Sequence, residues 1–282
     1  MKFGINTFLF ASPFNNQSIK LMKQFREMGF DGVDIALENK GDFDYKNALI
    51  ALKDNGLECC SICGAFGPGR DLRGNKNEQE TGKQYIKDCI DACAALECNI
   101  FAGPLYSMVG RAGFELPSAK AEQWKLVVGN LKEICRYAED KGVYVAVEPL
   151  NRFETDFLNV CSDAVRLICD VESQMLKVHL DTFHMNIEEK SLSMAILEAG
   201  DNLYHVHSSE NDRGAPGTGT VDWKGVRDAL KKINYSRYIV IESFTPDVEI
   251  IAKAASIWRE TEKSNVELAQ KGLRFLKGLF VE

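Results

Sequence analysis

Two patterns of apolar and polar residues alternate along this chain. Short runs in which every second residue is apolar predict strands, and longer runs with apolar residues three or four positions apart predict helices. The predicted strands lie near residues 2–8, 32–37, 57–63, 99–105, 143–147, 177–181, 204–207 and 238–242. The predicted helices lie near residues 18–28, 45–55, 78–97, 117–141, 162–171, 192–199, 222–233, 248–261 and 266–279.

This alternation of strands and helices predicts a parallel sheet, because each helix carries the chain back to the end where the next strand starts. Eight strand–helix units in 282 residues fit a closed (β/α)₈ TIM barrel better than an open doubly wound sheet. No change of composition marks a second domain. We therefore expect one α/β barrel domain that covers residues 1–282.

Four of the predicted strands end in a side chain that can bind a metal. These side chains are Glu148, Asp181, His207 and Glu242. They share the same parity on four successive strands, so they point to the same face. In parallel neighbours they converge at the C-terminal ends of the strands, where TIM barrels carry their chemistry. Three carboxylates and one imidazole suit Mn²⁺, Mg²⁺ or Co²⁺ better than an ion that prefers thiolates.

Composition narrows the classes of partner. The chain has 45% hydrophobic and 27% charged residues, which is ordinary for a globular protein. Its 34 Lys and Arg against 41 Asp and Glu give a net charge of −7. A negative chain is a poor partner for nucleic acid or for an anionic membrane. We therefore expect a small-molecule partner, with no nucleic acid and no membrane.

The cysteines and the N-terminus indicate a cytoplasmic protein. There are nine Cys, an odd number, and the single Cys-x-x-Cys at Cys60–Cys63 has no second pair at zinc spacing. They are interpreted as small hydrophobic residues in a reducing compartment. The first residues run directly into a strand pattern without a signal peptide, and no apolar run reaches the length of a membrane span.

Four stretches of the second half resemble the ketose 3-epimerases, a group of xylose-isomerase-like barrels that contains D-tagatose 3-epimerase and D-allulose (psicose) 3-epimerase. The stretches are VEPLNRFETDFLN (147–159), HLDTFHMNIEE (179–189), HVHSSENDRGAPGTG (205–219) and VIESF (240–244). The resemblance covers essentially the whole chain. It implies the C3 epimerisation of free ketoses such as D-fructose/D-allulose or D-tagatose/D-sorbose, and it implies a homodimer or a homotetramer.

The resemblance also implies roles for individual residues. The metal, Mn²⁺ foremost with Co²⁺ or Mg²⁺ as alternatives, is expected on the four strand-end side chains named above. Contacts with the substrate are expected from Glu154, His184 and Arg213, and Phe244 could form the floor of the pocket. The N-terminal third departs from the family. Asn6 and Thr7 stand where the family often has aromatic residues, so the preferred ketose is not predicted.

Epimerisation next to a ketone explains why two carboxylates are needed. One base removes the proton at C3, a planar cis-enediolate forms, and a second group returns a proton to the opposite face. Glu148 and Glu242 are the expected pair, since they come from different strands. A divalent metal would stabilise the negative charge on the enediolate. His179 and His205, one layer deeper, are expected to be core or supporting residues.

Three other functions are compatible with parts of the pattern. An aldose–ketose or hydroxypyruvate-type isomerase on the same fold would use the same enediolate but would return the proton to the adjacent carbon. A metal-dependent nuclease of similar fold needs many His ligands, whereas this chain has four His and a negative net charge. A non-catalytic sugar-binding protein would not need two Glu at a metal. The segment GAPGTG (214–219) lacks the Lys of a phosphate-binding loop.

Overall fold

The computed structural model describes residues 1–281 and forms a closed barrel of eight parallel strands in sequence order. The strands are β1 Lys2–Asn6, β2 Gly32–Leu37, β3 Glu58–Gly64, β4 Ile100–Gly103, β5 Tyr144–Val147, β6 Leu176–Asp181, β7 Leu203–Ser208 and β8 Tyr238–Ile241. The α-helices are α1 Leu21–Met28, α2 Tyr45–Asp54, α3 Lys76–Ala95, α4 Pro117–Lys141, α5 Cys161–Val171, α6 Thr182–Glu188, α7 Leu192–Ala199, α8 Trp223–Lys232, α9 Glu249–Ala254 and α10 Asn265–Val281. The predicted TIM barrel is confirmed.

The barrel has two apolar layers, which follow from the alternation of side chains along each strand. Val143, Val145 and Val147 face outwards and belong to the large buried cluster between the strands and the surrounding helices. Ala146 faces inwards, where it forms a separate small cluster with Ile100 and Ala102. Small side chains leave room inside the barrel. Towards the C-terminal ends of the strands, the inward positions become polar.

Two helices differ from the predicted pattern. Helix α6 was not predicted, because it starts directly after β6 without a connecting loop. The side chain of Asp181 accepts a hydrogen bond from Phe183 N over 2.9 Å and so caps the first turn of α6. Helix α9 ends at Ala254 rather than near residue 261, since Ser256 adopts the left-handed conformation with φ 57°.

None of the helices within residues 1–281 is both long enough and apolar enough to span a membrane.

Candidate active site

The four predicted metal ligands meet at the C-terminal end of the barrel. Asp181 and His207 are paired in register on β6 and β7, while Glu148 and Glu242 directly follow β5 and β8. Their donor atoms all lie within 4.8 Å of one another. None of the four side chains belongs to a residue more than 7% exposed. The convergence predicted from strand parity is therefore confirmed in the geometry.

The unsatisfied atoms of this cluster fit a divalent cation. Glu148 Oε1 and His207 Nδ1 are buried and have no hydrogen-bond partner among the described residues. A buried charge without a partner costs several kcal/mol, and three carboxylates in one buried cluster add mutual repulsion. One cation at this position would satisfy both atoms and offset the repulsion. The oxygen-rich set with a single imidazole suits a hard or borderline divalent ion.

The pKa values of the two glutamates in the cluster are shifted in opposite directions. Burial, reinforced by the nearby charge of Glu242, raises the pKa of Glu148 well above its usual range. Burial would also raise the pKa of Glu242, but His207 and Arg213 outweigh it and lower this pKa to about 2. Burial raises the pKa of Asp181 to about 6, although Arg213 opposes the shift. Three carboxylates in one cluster thus have three different proton affinities.

Arg213 reaches into the cluster from the loop after β7. Its Nη1 lies 2.5 Å from Asp181 Oδ2 and 3.1 Å from Glu242 Oε2. The guanidinium carbon lies 4.1 Å from the ring centroid of Phe183 and 4.9 Å from that of Phe244. Arg213 therefore contacts two of the four proposed ligands while two aromatic rings hold its guanidinium plane.

The loop that carries Arg213 is built around the buried carboxylate of Glu210. This side chain accepts hydrogen bonds from Gly217 N at 2.8 Å and from Trp223 Nε1 at 2.6 Å. Gly217 has φ 89°, and a Cβ there would lie 2.4 Å from the Phe275 ring. Arg213 itself has φ 62°, a conformation that costs energy for a residue with a Cβ. The loop network therefore holds Arg213 in its position.

The ring of His184 places a hydrogen-bond donor beside the guanidinium group of Arg213. The backbone N–H of Asn151 donates to His184 Nδ1 over 3.1 Å, so the neutral ring carries its proton on Nε2. Burial, with Arg213 nearby, keeps the pKa of His184 well below its usual value, and the ring stays neutral. Nε2 lies 3.1 Å from Arg213 Nη2. With its proton on Nε2, the ring places a second donor beside the Arg213 guanidinium.

The remaining expected substrate contacts lie at the edge of the cluster. Glu154 accepts a hydrogen bond from Asn151 Nδ2 over 2.8 Å, so it is connected to His184 through Asn151. Phe244 is buried against Ala252 and Ile257 and also faces Arg213. Its ring thus contributes both to packing and to one wall of the site.

His179 and His205 lie one layer deeper, as expected from their strand positions. Both are fully buried, and their rings pack edge-on against each other at 4.9 Å between centroids. Burial lowers the pKa of both rings, so both are neutral. His179 Nδ1 lies 3.5 Å from Glu148 Oε2, which places this ring directly below the first proposed base.

Sequence reasoning missed two buried polar residues that support the ligands, Asp34 and Asn6. Asp34 Oδ2 lies 2.7 Å from His207 Nε2, and Asn6 Nδ2 donates to the same oxygen over 3.0 Å. The signal was present in β2, GVDIAL, where a single acid interrupts an apolar strand. Asp34 shares its face with the small residues Gly32 and Ala36, as Glu148 shares its face with Ala146.

Comparisons with known proteins agree with this geometry. Residues 22–279 match the family model described as xylose isomerase-like TIM barrel. A ketose 3-epimerase from Arthrobacter globiformis is 30% identical over 98% of this chain and 96% of its own length. An L-ribulose 3-epimerase from Mesorhizobium japonicum is 30% identical over 100% of this chain and 94% of its own length. The crystal structure of a Methylomonas sp. D-allulose 3-epimerase in complex with D-allulose superposes with a TM-score of 0.91, at 27% identity over 99% and 96% of the two chains.

Proposed function

This chain belongs to the ketose 3-epimerases of the xylose isomerase-like TIM barrel family, and we propose that it catalyses the metal-dependent C3 epimerisation of a free ketose. Substrate pairs of the type D-fructose/D-allulose and D-tagatose/D-sorbose fit this proposal. The observation that carries it is the convergence of Glu148, Asp181, His207 and Glu242 at one end of the barrel, with two further donors beside them.

The four converging side chains would hold one divalent cation, and Mn²⁺ is the ion we propose, with Co²⁺ or Mg²⁺ as alternatives. Such a cation supplies Lewis acidity that makes the proton next to the ketone easier to remove. Three carboxylates around one site favour these hard and borderline ions. The rest of the reaction depends on proton transfers by the side chains of this chain.

Two carboxylates from separate strands would perform the proton transfers. In one direction, the ionised Glu242 takes the proton from C3, and the electron pair of the C–H bond passes towards C2 to give the cis-enediolate. Glu148, whose raised pKa keeps a proton on its carboxyl group, then donates that proton to the opposite face of C3. The reverse direction exchanges the two roles, and solvent resets both carboxyl groups. β5 and β8 are separated by β6 and β7 in the barrel, which supports access from two sides.

Two donors would stabilise the oxygen on which negative charge develops. Nε2 of His184 and Nη2 of Arg213 lie 3.1 Å apart, which is close enough for one substrate oxygen to accept a hydrogen bond from both. Preorganised donors in a buried site stabilise such charge without reorganisation. Asn151 would keep the His184 ring in this orientation through its backbone N–H. Phe183 and Phe244 would exclude water from the guanidinium side of the site.

Several exposed apolar side chains support the proposal of a homodimer or a homotetramer. Phe114 is 92% exposed, Phe153 75% and Leu116 63%. They lie on the loops after β4 and β5, which are joined by a bridge between Arg111 and Thr155. Burial of such side chains in an interface is favourable. We further propose one domain over residues 1–282 in a cytoplasmic enzyme, consistent with nine free cysteines.

The function is tested by offering candidate ketoses to the purified protein with Mn²⁺. D-Fructose, D-tagatose and L-ribulose are incubated separately, and the sugars are separated by ligand-exchange chromatography. The C3 epimer of at least one ketose should accumulate to equilibrium. An aldose as the only product would support the rival aldose–ketose isomerase. Absence of any new sugar from a panel of free ketoses would contradict both enzyme assignments.

Arg213→Gln should have opposite effects on turnover and on metal binding. Loss of one donor to a developing oxyanion typically lowers the rate by about 10²–10³-fold, and we expect a fall of this size in kcat/KM. The affinity for Mn²⁺ should rise, because the variant removes a positive charge that lies within 3.1 Å of Asp181 and Glu242 oxygens. Steady-state kinetics and isothermal titration calorimetry with Mn²⁺ measure the two effects.

Arg259→Gln is a matched control for the lost charge. Arg259 pairs with Asp212 of the same loop over 2.6 Å, but its side chain is 69% exposed. Its replacement should leave both quantities within about twofold, since solvent screens exposed pairs. Weaker Mn²⁺ binding by Arg213→Gln would show that Arg213 supports the ligands rather than competing for them.

A further inference from the structure

Asp34 is a fully buried carboxylate in the middle of an apolar strand. Its Oδ2 lies 2.7 Å from His207 Nε2 and 3.5 Å from His205 Nε2. A buried charge of this kind is costly unless it is paired. The hydrogen bonds of Asp34 lead towards the proposed metal ligands, which identifies what this charge can do.

The first connection runs from Asp34 to His207. The distance from Asp34 Oδ2 to His207 Nε2 is 2.7 Å, and a carboxylate can only accept, so Nε2 carries a proton. In the neutral ring, Nδ1 is then the nitrogen with the free electron pair. Nδ1 lies 3.3 Å from Glu242 Oε2 and is the His207 atom that faces the cluster. Asp34 therefore selects the tautomer that can bind a cation.

The second connection runs from Asp34 through Asn6 to Glu242. Asn6 Oδ1 accepts a hydrogen bond from Phe8 N over 2.8 Å, which fixes the orientation of the side-chain amide. Its Nδ2 consequently faces the two carboxylates, at 3.0 Å from Asp34 Oδ2 and 3.4 Å from Glu242 Oε1. One amide thus links the carboxylate on β2 to the proposed base that follows β8.

We propose that Asp34 is a positioning residue that sets the metal affinity of the site by orienting His207 directly and Glu242 through Asn6. The inference rests on the proposed metal site. It assigns to Asp34 no contact with substrate. Strands β1 and β2 thereby support ligands that strands β7 and β8 carry, across the point where the barrel closes.

The substitution Asp34→Asn tests this role with little change of volume. His207 and Asn6 both donate to Asp34 Oδ2, and an amide oxygen in its place is a neutral acceptor without the negative charge that strengthens both hydrogen bonds. Mutation of such an outer partner typically weakens metal binding by about 10–100-fold. We therefore expect the Kd for Mn²⁺, measured by calorimetry on chelator-treated protein, to rise by this factor. At saturating Mn²⁺, kcat should recover to within about tenfold of wild type.

Ser61→Ala is the matched control. Ser61 is fully buried, and its Oγ lies 3.2 Å from His205 Nε2 at the same depth in the barrel. Within residues 1–281, no hydrogen bond joins Ser61 Oγ to a proposed metal ligand. This variant should lose stability by a similar mechanism, the loss of a buried hydrogen bond, yet retain the wild-type Kd for Mn²⁺. Asn6→Ala serves as a second test if Asp34→Asn does not fold, and it should weaken Mn²⁺ binding several-fold.

The outcomes separate the positioning role from the proposed function. If Asp34→Asn binds Mn²⁺ as tightly as wild type, the inference is wrong, but the proposed metal site is unaffected. The same holds for Asn6→Ala where that variant is used instead. Weaker binding in Ser61→Ala of the same size as in Asp34→Asn would also overturn the inference, because a general loss of core order would then explain both. A wild-type protein that binds no Mn²⁺ would overturn the metal site itself and the inference with it.

Discussion

Replacement of either Glu148 or Glu242 by Gln is expected to lower kcat for C3 epimerisation by at least about 10²–10⁴-fold, the typical contribution of a positioned general base. Gln keeps the size of the side chain but can neither take nor return a proton at the reacting carbon. Both residues are also proposed ligands, so weaker metal binding adds to the loss. The variants are therefore assayed at saturating Mn²⁺ with the metal content measured.

Proton exchange separates the two bases from each other. Each epimer has its C3 proton on a different face, so each single variant should retain slow exchange for one epimer and lose it for the other. Proton NMR in D₂O, started from each epimer separately, measures this. Glu188→Gln is the control, because Glu188 is a shielded carboxylate paired with Arg152 Nε at 2.9 Å and away from the cluster. Near-normal turnover in either Glu148→Gln or Glu242→Gln would refute the two-base assignment.

Removal of divalent metal is expected to abolish turnover and to lower stability. Asp34, Glu148, Asp181 and Glu242 form a buried group of carboxylates, and a bound divalent cation would offset the repulsion among them. A ligand that binds only the folded state stabilises by about 2.7 kcal/mol at 100 times its Kd and by about 4.1 kcal/mol at 1,000 times. Mn²⁺ at these concentrations should therefore raise Tm by several degrees. Thermal unfolding with and without Mn²⁺ measures the shift.

Asp181→Asn provides the control for the stabilisation by metal. The variant keeps the size of a proposed ligand but removes its charge, so the Mn²⁺-dependent rise in Tm should shrink or vanish. An equal ionic strength of NaCl should not replace Mn²⁺, because screening acts weakly on buried charges. Full turnover by protein that has been treated with chelator and contains far less than one metal per chain would contradict the metal dependence.

The proposed ligands could be predicted from sequence because, along each strand of a parallel barrel, the odd or even position of a residue decides whether its side chain faces inwards or outwards. A residue at a strand end points to a face that its position alone decides, and closure of the barrel brings the strand ends together. Glu148 and Asp181 could therefore be placed without knowledge of loop structure. Asp34 follows the same rule of parity, but it lies in the interior of β2 and not at a strand end, so the pattern of acids at strand ends does not include it.

The position of Arg213 could not be predicted from the pattern of the chain. It depends on a left-handed backbone conformation at Arg213 and on the hydrogen bonds that Glu210 makes across the loop. Both are long-range properties of a loop without periodicity. Helix α6 was missed for a related reason, since its first turn is capped by Asp181, a residue that the strand pattern had already assigned. The orientation of His184 follows from this helix.

The most direct test of the central claim is the position at which deuterium enters the sugar. The protein is incubated in D₂O with Mn²⁺ and a ketose that it converts, the metal is removed, and the sugars are analysed by proton NMR. C3 epimerisation through two exchanging carboxyl groups predicts an epimer that carries deuterium at C3 and a C1 that keeps its protons. Deuterium at C1, together with an aldose, would contradict the account and assign the site to aldose–ketose isomerisation.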